Sequence, residues 1–173
     1  MTFSAPKHVI GNNYVIPLKY DDCSLHVQLP RCVVCTSVYE SHGKFYMDVM
    51  APKSSIMVSF MKSMARIIKQ HMQSLSQYNL HNTVFNDHVL RLTESTDKEL
   101  FYSIRLKIPR QGNNFQATVT DSRGSDRLIT DIKTGSSVLC IVSIDNLYSM
   151  QGNSGFSLNV LNVRIMDGTT HRR

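Results

Sequence analysis

The chain has 173 residues, of which 42% are hydrophobic and 18% charged, and its formal net charge at pH 7 is +6. This length suits one domain with a buried core, and this hydrophobic content excludes a disordered chain. No apolar run reaches membrane-spanning length, and the sequence has neither a signal-peptide pattern nor an Asn-x-Ser/Thr sequon. We therefore expect a soluble intracellular protein with no membrane association. Its excess of cations favours a polyanionic partner such as nucleic acid.

Three segments are predicted along the chain. Residues 1–22 mix polar and apolar positions, interrupted by two prolines and a glycine, and predict an N-terminal arm with a short edge strand at 14–16. Residues 23–168 predict one β-rich domain. Residues 169–173 predict a basic tail.

Two strand patterns begin the domain and predict a hairpin. The first alternates apolar and polar residues over 25–29, where Pro30 predicts an end or a bulge, and continues as a β-rich run to Tyr39. After a turn, the second alternates between a core face and an outer face, with Phe45, Met47 and Val49 on the first and Lys44, Tyr46 and Asp48 on the second.

The period then changes to that of a helix, predicted over residues 55–76. Apolar side chains recur at three- and four-residue spacing, and its methionine-rich stripe, which begins at Ile56 and includes His71, favours packing against the core. A long alternating strand follows over 99–109. Its predicted core face carries Leu100, Tyr102, Ile104, Leu106 and Ile108, and its outer face Phe101, Ser103, Arg105 and Lys107.

Two polar, basic loops are predicted at 110–114 and 121–127, before a long closing hairpin. The hairpin's first strand is the β-branched run 138–144, its turn is 151–155, and its second strand is 156–166. The apolar phase of the second strand slips by one residue after Val160, which predicts a bulge of the kind that bends barrel strands.

The outer strand faces and the loops combine cations with aromatic rings. A single strand of nucleic acid needs this mixture, because cations follow the phosphates and exposed rings stack on bases of any sequence. The alternative is that Phe101 and Phe115 belong to a second small core beside a solvated cationic face. The candidate nucleic-acid-binding residues are Lys44, Tyr46, Phe101, Arg105, Lys107, Arg110, Phe115, Arg123, Arg127 and Tyr148.

Metal and catalytic sites are not predicted, nor is a cofactor. Cys32 and Cys35 have the spacing of half a zinc site, but a second close pair is missing, so buried, reduced cysteines are the better interpretation. The acidic and histidine positions form no nucleophile elbow, phosphate loop or paired-metal signature. We therefore expect no enzymatic activity.

The predicted order of elements is close to an OB-type Greek-key barrel, and two stretches resemble a known family. Leu25-His-Val-Gln-Leu-Pro30 with Gly43-Lys-Phe-Tyr-Met-Asp-Val-Met50 is similar to the opening of OB-fold single-stranded-DNA-binding proteins of large DNA viruses. The run from Gly155 to Ile165 resembles the final barrel strand of viral and phage single-strand binders. Many of these proteins end in an acidic tail that recruits partners, whereas this sequence ends in Thr-Thr-His-Arg-Arg173.

The resemblance implies sequence-independent binding of single-stranded DNA in viral DNA replication, recombination or repair. It implies a groove that uses Lys44, Tyr46 and the strand Phe101–Lys107. We predict a mainly β protein with one amphipathic helix, an elaborated OB barrel, which self-associates and has replication proteins as further partners. The alternatives are a β-sandwich structural or protein-interaction protein of a virus, and a binder of single-stranded RNA.

Overall fold

The computed structural model describes residues 2–9, 11, 13–52, 56–75, 78, 80, 84–85, 90–94 and 100–166. The predicted basic tail, 169–173, lies outside the described residues. One long helix, α1, spans Ile56–Ser74. No helix in the described ranges is long and apolar enough to cross a membrane. The strands in chain order are β1 Thr2–Phe3, β2 Lys7–His8, β3 Tyr14–Lys19, β4 Leu25–Gln28, β5 Cys32–Ser41, β6 Lys44–Pro52, β7 Val84–Phe85, β8 Leu90–Glu94, β9 Leu100–Ile108, β10 Arg110–Gln111, β11 Asn114–Phe115, β12 Thr118–Thr120, β13 Ser137–Ile144, β14 Asn146–Met150, β15 Asn153–Phe156 and β16 Asn159–Met166.

Five strands close into a barrel. Around the ring they pair in the order β13, β5, β6, β9 and β16, and β16 returns to β13. All of these pairs are antiparallel except the short contact between β16 and β9, where Asn159 lies opposite Lys107. β4 precedes β5 and also pairs with β13, beyond the residues of β13 that pair with β5. This order and closure are those of an OB fold, so the predicted fold class is confirmed.

The barrel core follows the predicted alternation. Met47 and Val49 of β6 and Ile104 and Leu106 of β9 are fully buried, because every second side chain of a strand points inward. The predicted phase slip is confirmed as a bulge in β16. Ile141 pairs with Asn162 and Val142 with Val160, which leaves Leu161 as the extra residue.

The helix closes the core against β6 and β15. Its buried side chains are Met57, Val58, Met61, Met64, Ile68 and Met72, which confirms that the methionine stripe is core packing. Ile56 was predicted on the same stripe but is 89% exposed, because the first helical residue points away from the side that Met57 and Met61 bury. The His71 ring stacks on Phe3, with centroids 3.9 Å apart, and so fastens β1 to the helix.

A second sheet lies beside the barrel, with strands in the order β1, β3, β14, β15 and β7, and with β2 also on β3. The residues predicted as an N-terminal arm thus supply three of its strands. The predicted edge strand at 14–16 is interior: β3 pairs with β1 and β2 on one side and with β14 on the other. Sequence patterns did not reveal this because the pairing of β3 with β14 joins distant parts of the chain.

The closing hairpin contributes strands to both sheets. Its outer strands, β13 and β16, belong to the barrel, and its inner strands, β14 and β15, belong to the second sheet. The reversal is tighter than predicted: Gln151 and Gly152 form the turn with φ of 52° and 77°, and residue 153 already starts β15. Two successive positive φ angles match the twist of a two-residue hairpin.

Candidate nucleic-acid interface

A groove of about 510 Å³ lies between the barrel and the second sheet. The outer faces of β6 and β9 form its floor, β14 forms one wall, and the β5–β6 turn lies at one end. Tyr46 pairs with Lys107 and Asp48 with Arg105 in the β6–β9 register, so rings and charges alternate across this floor. The groove is lined by Val15, Ser41, His42, Lys44, Tyr46, Arg105, Lys107, Asn146, Leu147, Tyr148, Met150, Phe156, Ser157, Leu158 and Asn159. Five of the ten predicted site residues therefore meet in one place.

Two lysines form the cationic part of the groove. Burial, and then the nearby charge of Lys44, lower the pKa of Lys107. Neither lysine side chain forms an ion pair or hydrogen bond with the residues that the structure describes. A partly desolvated lysine beside a second cation is stabilised by an incoming anion, so this pair suits a phosphate.

Arg105 is held in a cluster with Asp48 and two tyrosines. Its Nε donates to Asp48 Oδ1 at 3.1 Å, and the Tyr39 hydroxyl donates to Asp48 Oδ2 at 3.2 Å. Its guanidinium carbon lies 5.8 Å from the Tyr39 ring centroid and 5.6 Å from that of Tyr46. Burial opposes the charge of Arg105, but the hydrogen bond and charge of Asp48, with the two tyrosines, raise its pKa above the ordinary value.

Tyr148, on β14 of the second sheet, lines the same groove. Burial, and then the neighbouring Tyr46 hydroxyl, raise the pKa of Tyr148. The groove therefore has one tyrosine, Tyr46, on its floor and another, Tyr148, on its wall. Planar rings on two sides of a narrow cleft are suited to stacking with nucleobases.

The other five predicted residues lie outside the groove lining. Phe101 is half-buried on the outer face of β9, opposite Pro52 and thus at the far end of the strand from Lys107. Arg123 is exposed in its loop, and Arg127 pairs with Asp121 at 2.8 Å.

Arg110 and Phe115 lie together at the rim of the barrel. The predicted loop at 110–114 is instead a tight hairpin, β10–β11, in which these two residues are paired. The Arg110 guanidinium lies 5.1 Å from the Phe45 ring centroid and 5.7 Å from that of Phe115. The two phenylalanine rings meet edge to face at 5.0 Å. Phe115 is thus half-buried and packs against the hydrophobic core.

Sequence reasoning missed Asp48 and Tyr39 as parts of the site. Both lie on strands that it did predict. The signal was available for Asp48, because an acidic residue on the outer face of one alternating strand is a natural cross-strand partner for Arg105 on the next.

Asp145 fixes the junction where the closing hairpin leaves the barrel. Its Oδ2 accepts hydrogen bonds from Ser143 Oγ at 2.7 Å and from Asn159 Nδ2 at 3.1 Å, and its backbone carbonyl accepts from Leu18 N at 2.8 Å. Asn159 lines the groove, so this network sets one end of it.

Asp145→Ala is expected to lower the free energy of unfolding by about 1–3 kcal/mol, because the buried Ser143 hydroxyl loses its acceptor. Urea denaturation followed by circular dichroism measures the loss. Asp126→Ala, an exposed loop position, is the matched control and should change stability by less than about 0.5 kcal/mol. Equal stabilities for the two variants would contradict a structural role for Asp145.

The cysteines are unpaired, and two of them are buried. Burial, and then a neighbouring cysteine, raise the pKa of Cys32 to about 11 and that of Cys140 to about 12, so both are thiols at neutral pH. Cys35 is half-buried and Cys23 is exposed. Within the described ranges, no group of three or more His, Cys, Asp or Glu side chains is placed to hold a metal ion.

No family model and no curated protein sequence matches this sequence. Solved structures do match. The fold is similar to gp2.5, a single-stranded DNA binding protein encoded by bacteriophage T7, with a TM-score of 0.61 and 12% identity over 83% of this chain and 87% of that one. It is also similar to the single-stranded DNA-binding protein from bacteriophage Enc34 in complex with ssDNA, with a TM-score of 0.53 and 13% identity over 92% and 93% of the two chains. A C-terminal truncation of the Enc34 protein gives a TM-score of 0.53 and 11% identity over 94% and 92%. The chain has the fold of these phage proteins.

Proposed function

We propose that this protein binds single-stranded DNA without sequence preference and without catalysing a reaction, in viral DNA replication, recombination or repair. The observation that carries the proposal is the groove, which places two lysines without ionic partners among the described residues beside tyrosines on its floor and its wall. Lysines that neutralise phosphates release counterions, and rings stack on any base. Neither interaction reads a sequence.

The fold likeness supports the same proposal. Two of the similar structures belong to phage proteins named for binding single-stranded DNA, and one of these contains the DNA. Self-association and recruitment of replication proteins remain predictions. β8 is one candidate strand for self-association, because among the described strands it pairs only with β9.

Fluorescence anisotropy with a labelled, mixed-sequence single strand tests the proposal. We expect binding that weakens steeply with salt and that a duplex of the same sequence does not displace. Lys107→Gln should lower the slope of log K against log salt by about 0.7, the contribution of one phosphate contact on a single strand. Lys133→Gln removes an exposed lysine outside the groove and is the matched control, expected to leave that slope unchanged.

Two results would overturn the proposal. The first is the absence of binding at low salt, which would favour a protein-interaction role. The second is competition by duplex as effective as that by single strands. An RNA strand that competes better than DNA would redirect the proposal to single-stranded RNA.

A further inference from the structure

We infer that Arg105 binds no phosphate, and that Asp48 fixes it as a positioning residue for the Tyr46 ring. The inference rests on the proposed function and divides the groove into two sides. On one side the nucleic-acid backbone follows Lys44 and Lys107. On the other side the bases stack, on a surface whose net charge is zero.

The charge of Arg105 is already compensated by Asp48. Both oxygens of Asp48 are engaged: Oδ1 accepts from Arg105 Nε at 3.1 Å, and Oδ2 accepts from the Tyr39 hydroxyl at 3.2 Å. The Asp48 side chain is only 14% exposed and that of Arg105 30%, so water screens the pair less than it would at an open surface. A phosphate that approached this guanidinium would also approach the carboxylate, which repels it.

The Arg105 guanidinium lies beside two rings and forms a triangle with them. It is nearly equidistant from the Tyr39 and Tyr46 centroids, at 5.8 and 5.6 Å, and the two centroids are 5.9 Å apart. These distances are within cation–π range. Asp48 accepts a hydrogen bond from Arg105 Nε, and the Arg105 guanidinium lies within cation–π range of both rings. The Tyr39 hydroxyl completes the cluster by donating to Asp48. The orientation of Tyr46 is therefore fixed before any base arrives.

The two lysines of the groove are placed differently from Arg105. Lys107 lies directly opposite Tyr46 in the β6–β9 register, whereas Asp48 lies directly opposite Arg105, two positions along β6 from Tyr46. Along β6 the floor therefore presents the Lys44 cation, then the Tyr46 ring, then the neutral pair of Asp48 with Arg105, and Lys107 lies beside the ring on β9. A strand whose backbone follows the lysines can lay its bases over Tyr46 toward Tyr39 without bringing a phosphate to Asp48.

The double variant Asp48→Asn with Arg105→Gln tests the inference, because it removes both charges and keeps the net charge. We expect the same salt slope as the natural protein, with lower affinity because the rings lose their support. Asp48→Asn alone should raise the slope by about 0.7, since it frees Arg105 to meet a phosphate. A double variant whose slope of log K against log salt falls by about 0.7, the change expected of Lys107→Gln, would overturn the inference.

Arg105→Lys decides the question if the double variant does not fold. This variant keeps the positive charge but loses the planar guanidinium group and its N–H donors. We expect binding about 2- to 5-fold weaker with an unchanged slope. Affinity equal to that of the natural protein would mean that Arg105 acts as a simple cation, and the inference would fail. If the natural protein binds no single strand, the proposed function itself fails. If it binds and only these variants depart from expectation, the inference alone fails.

Discussion

Tyr46→Ala is expected to weaken binding of a mixed-sequence DNA single strand by roughly 5- to 150-fold, the loss of one stacked base. Tyr46 lies on the groove floor, opposite Lys107, in the groove that Tyr148 also lines. Its removal leaves the lysines in place. The salt slope should therefore stay that of the natural protein while the affinity falls at every salt concentration.

Two controls make this result specific. Tyr46→Phe keeps the ring and should bind almost as well as the natural protein. Tyr20→Ala removes a tyrosine that is 57% exposed and lies outside the groove, and it should have no effect. Anisotropy measures the affinity, and the quenching of tyrosine emission on binding can be followed directly because the chain has no tryptophan. Equal losses for Tyr20→Ala and Tyr46→Ala would contradict stacking in the groove.

Leu106→Ala is expected to lower the free energy of unfolding by about 2–5 kcal/mol, the usual result of opening a cavity in a packed core. Leu106 is fully buried in β9, and its neighbours Arg105 and Lys107 point the other way, into the groove. Urea denaturation measures the loss. Because its side chain faces away from the groove, Leu106→Ala should bind DNA normally wherever it remains folded.

Leu128→Ala supplies the same chemical change at a surface position. Leu128 is 70% exposed, so its loss should change stability by no more than about 0.5 kcal/mol. A Leu106 variant no less stable than the Leu128 variant would show that the barrel interior is not packed as described.

Local patterns predicted those parts of the fold that depend on neighbouring residues. The two-residue alternation of β6 and β9 placed Met47 and Leu106 inside and Tyr46 and Lys107 outside. The helix followed from its stripe, and the bulge at Leu161 from a phase slip in a single strand. Because β6 and β9 are adjacent, their outer faces brought four predicted residues together, and β14 added Tyr148.

The remaining features depend on pairings between distant segments. The cluster of Asp48, Tyr39 and Arg105 requires the register between β6 and β9, which are separated in sequence by the helix. The interior place of β3 requires β14 to leave the barrel, which it does directly after Asp145 and its side-chain network. A single sequence gives the alternation of each strand but not the register between strands.

The pairing of β4 with β13 also constrains how a cell can make this protein. It joins Leu25 of β4 to Ile144 of β13, so the second partner leaves the ribosome long after the first. At ordinary rates of translation the interval is on the order of ten seconds. During that time the hairpin β5–β6 exists with one edge unpaired and its core face uncovered, a state that is prone to aggregation. Expression at lower temperature or with chaperones would protect the nascent chain until β13 has been made and pairs with β4.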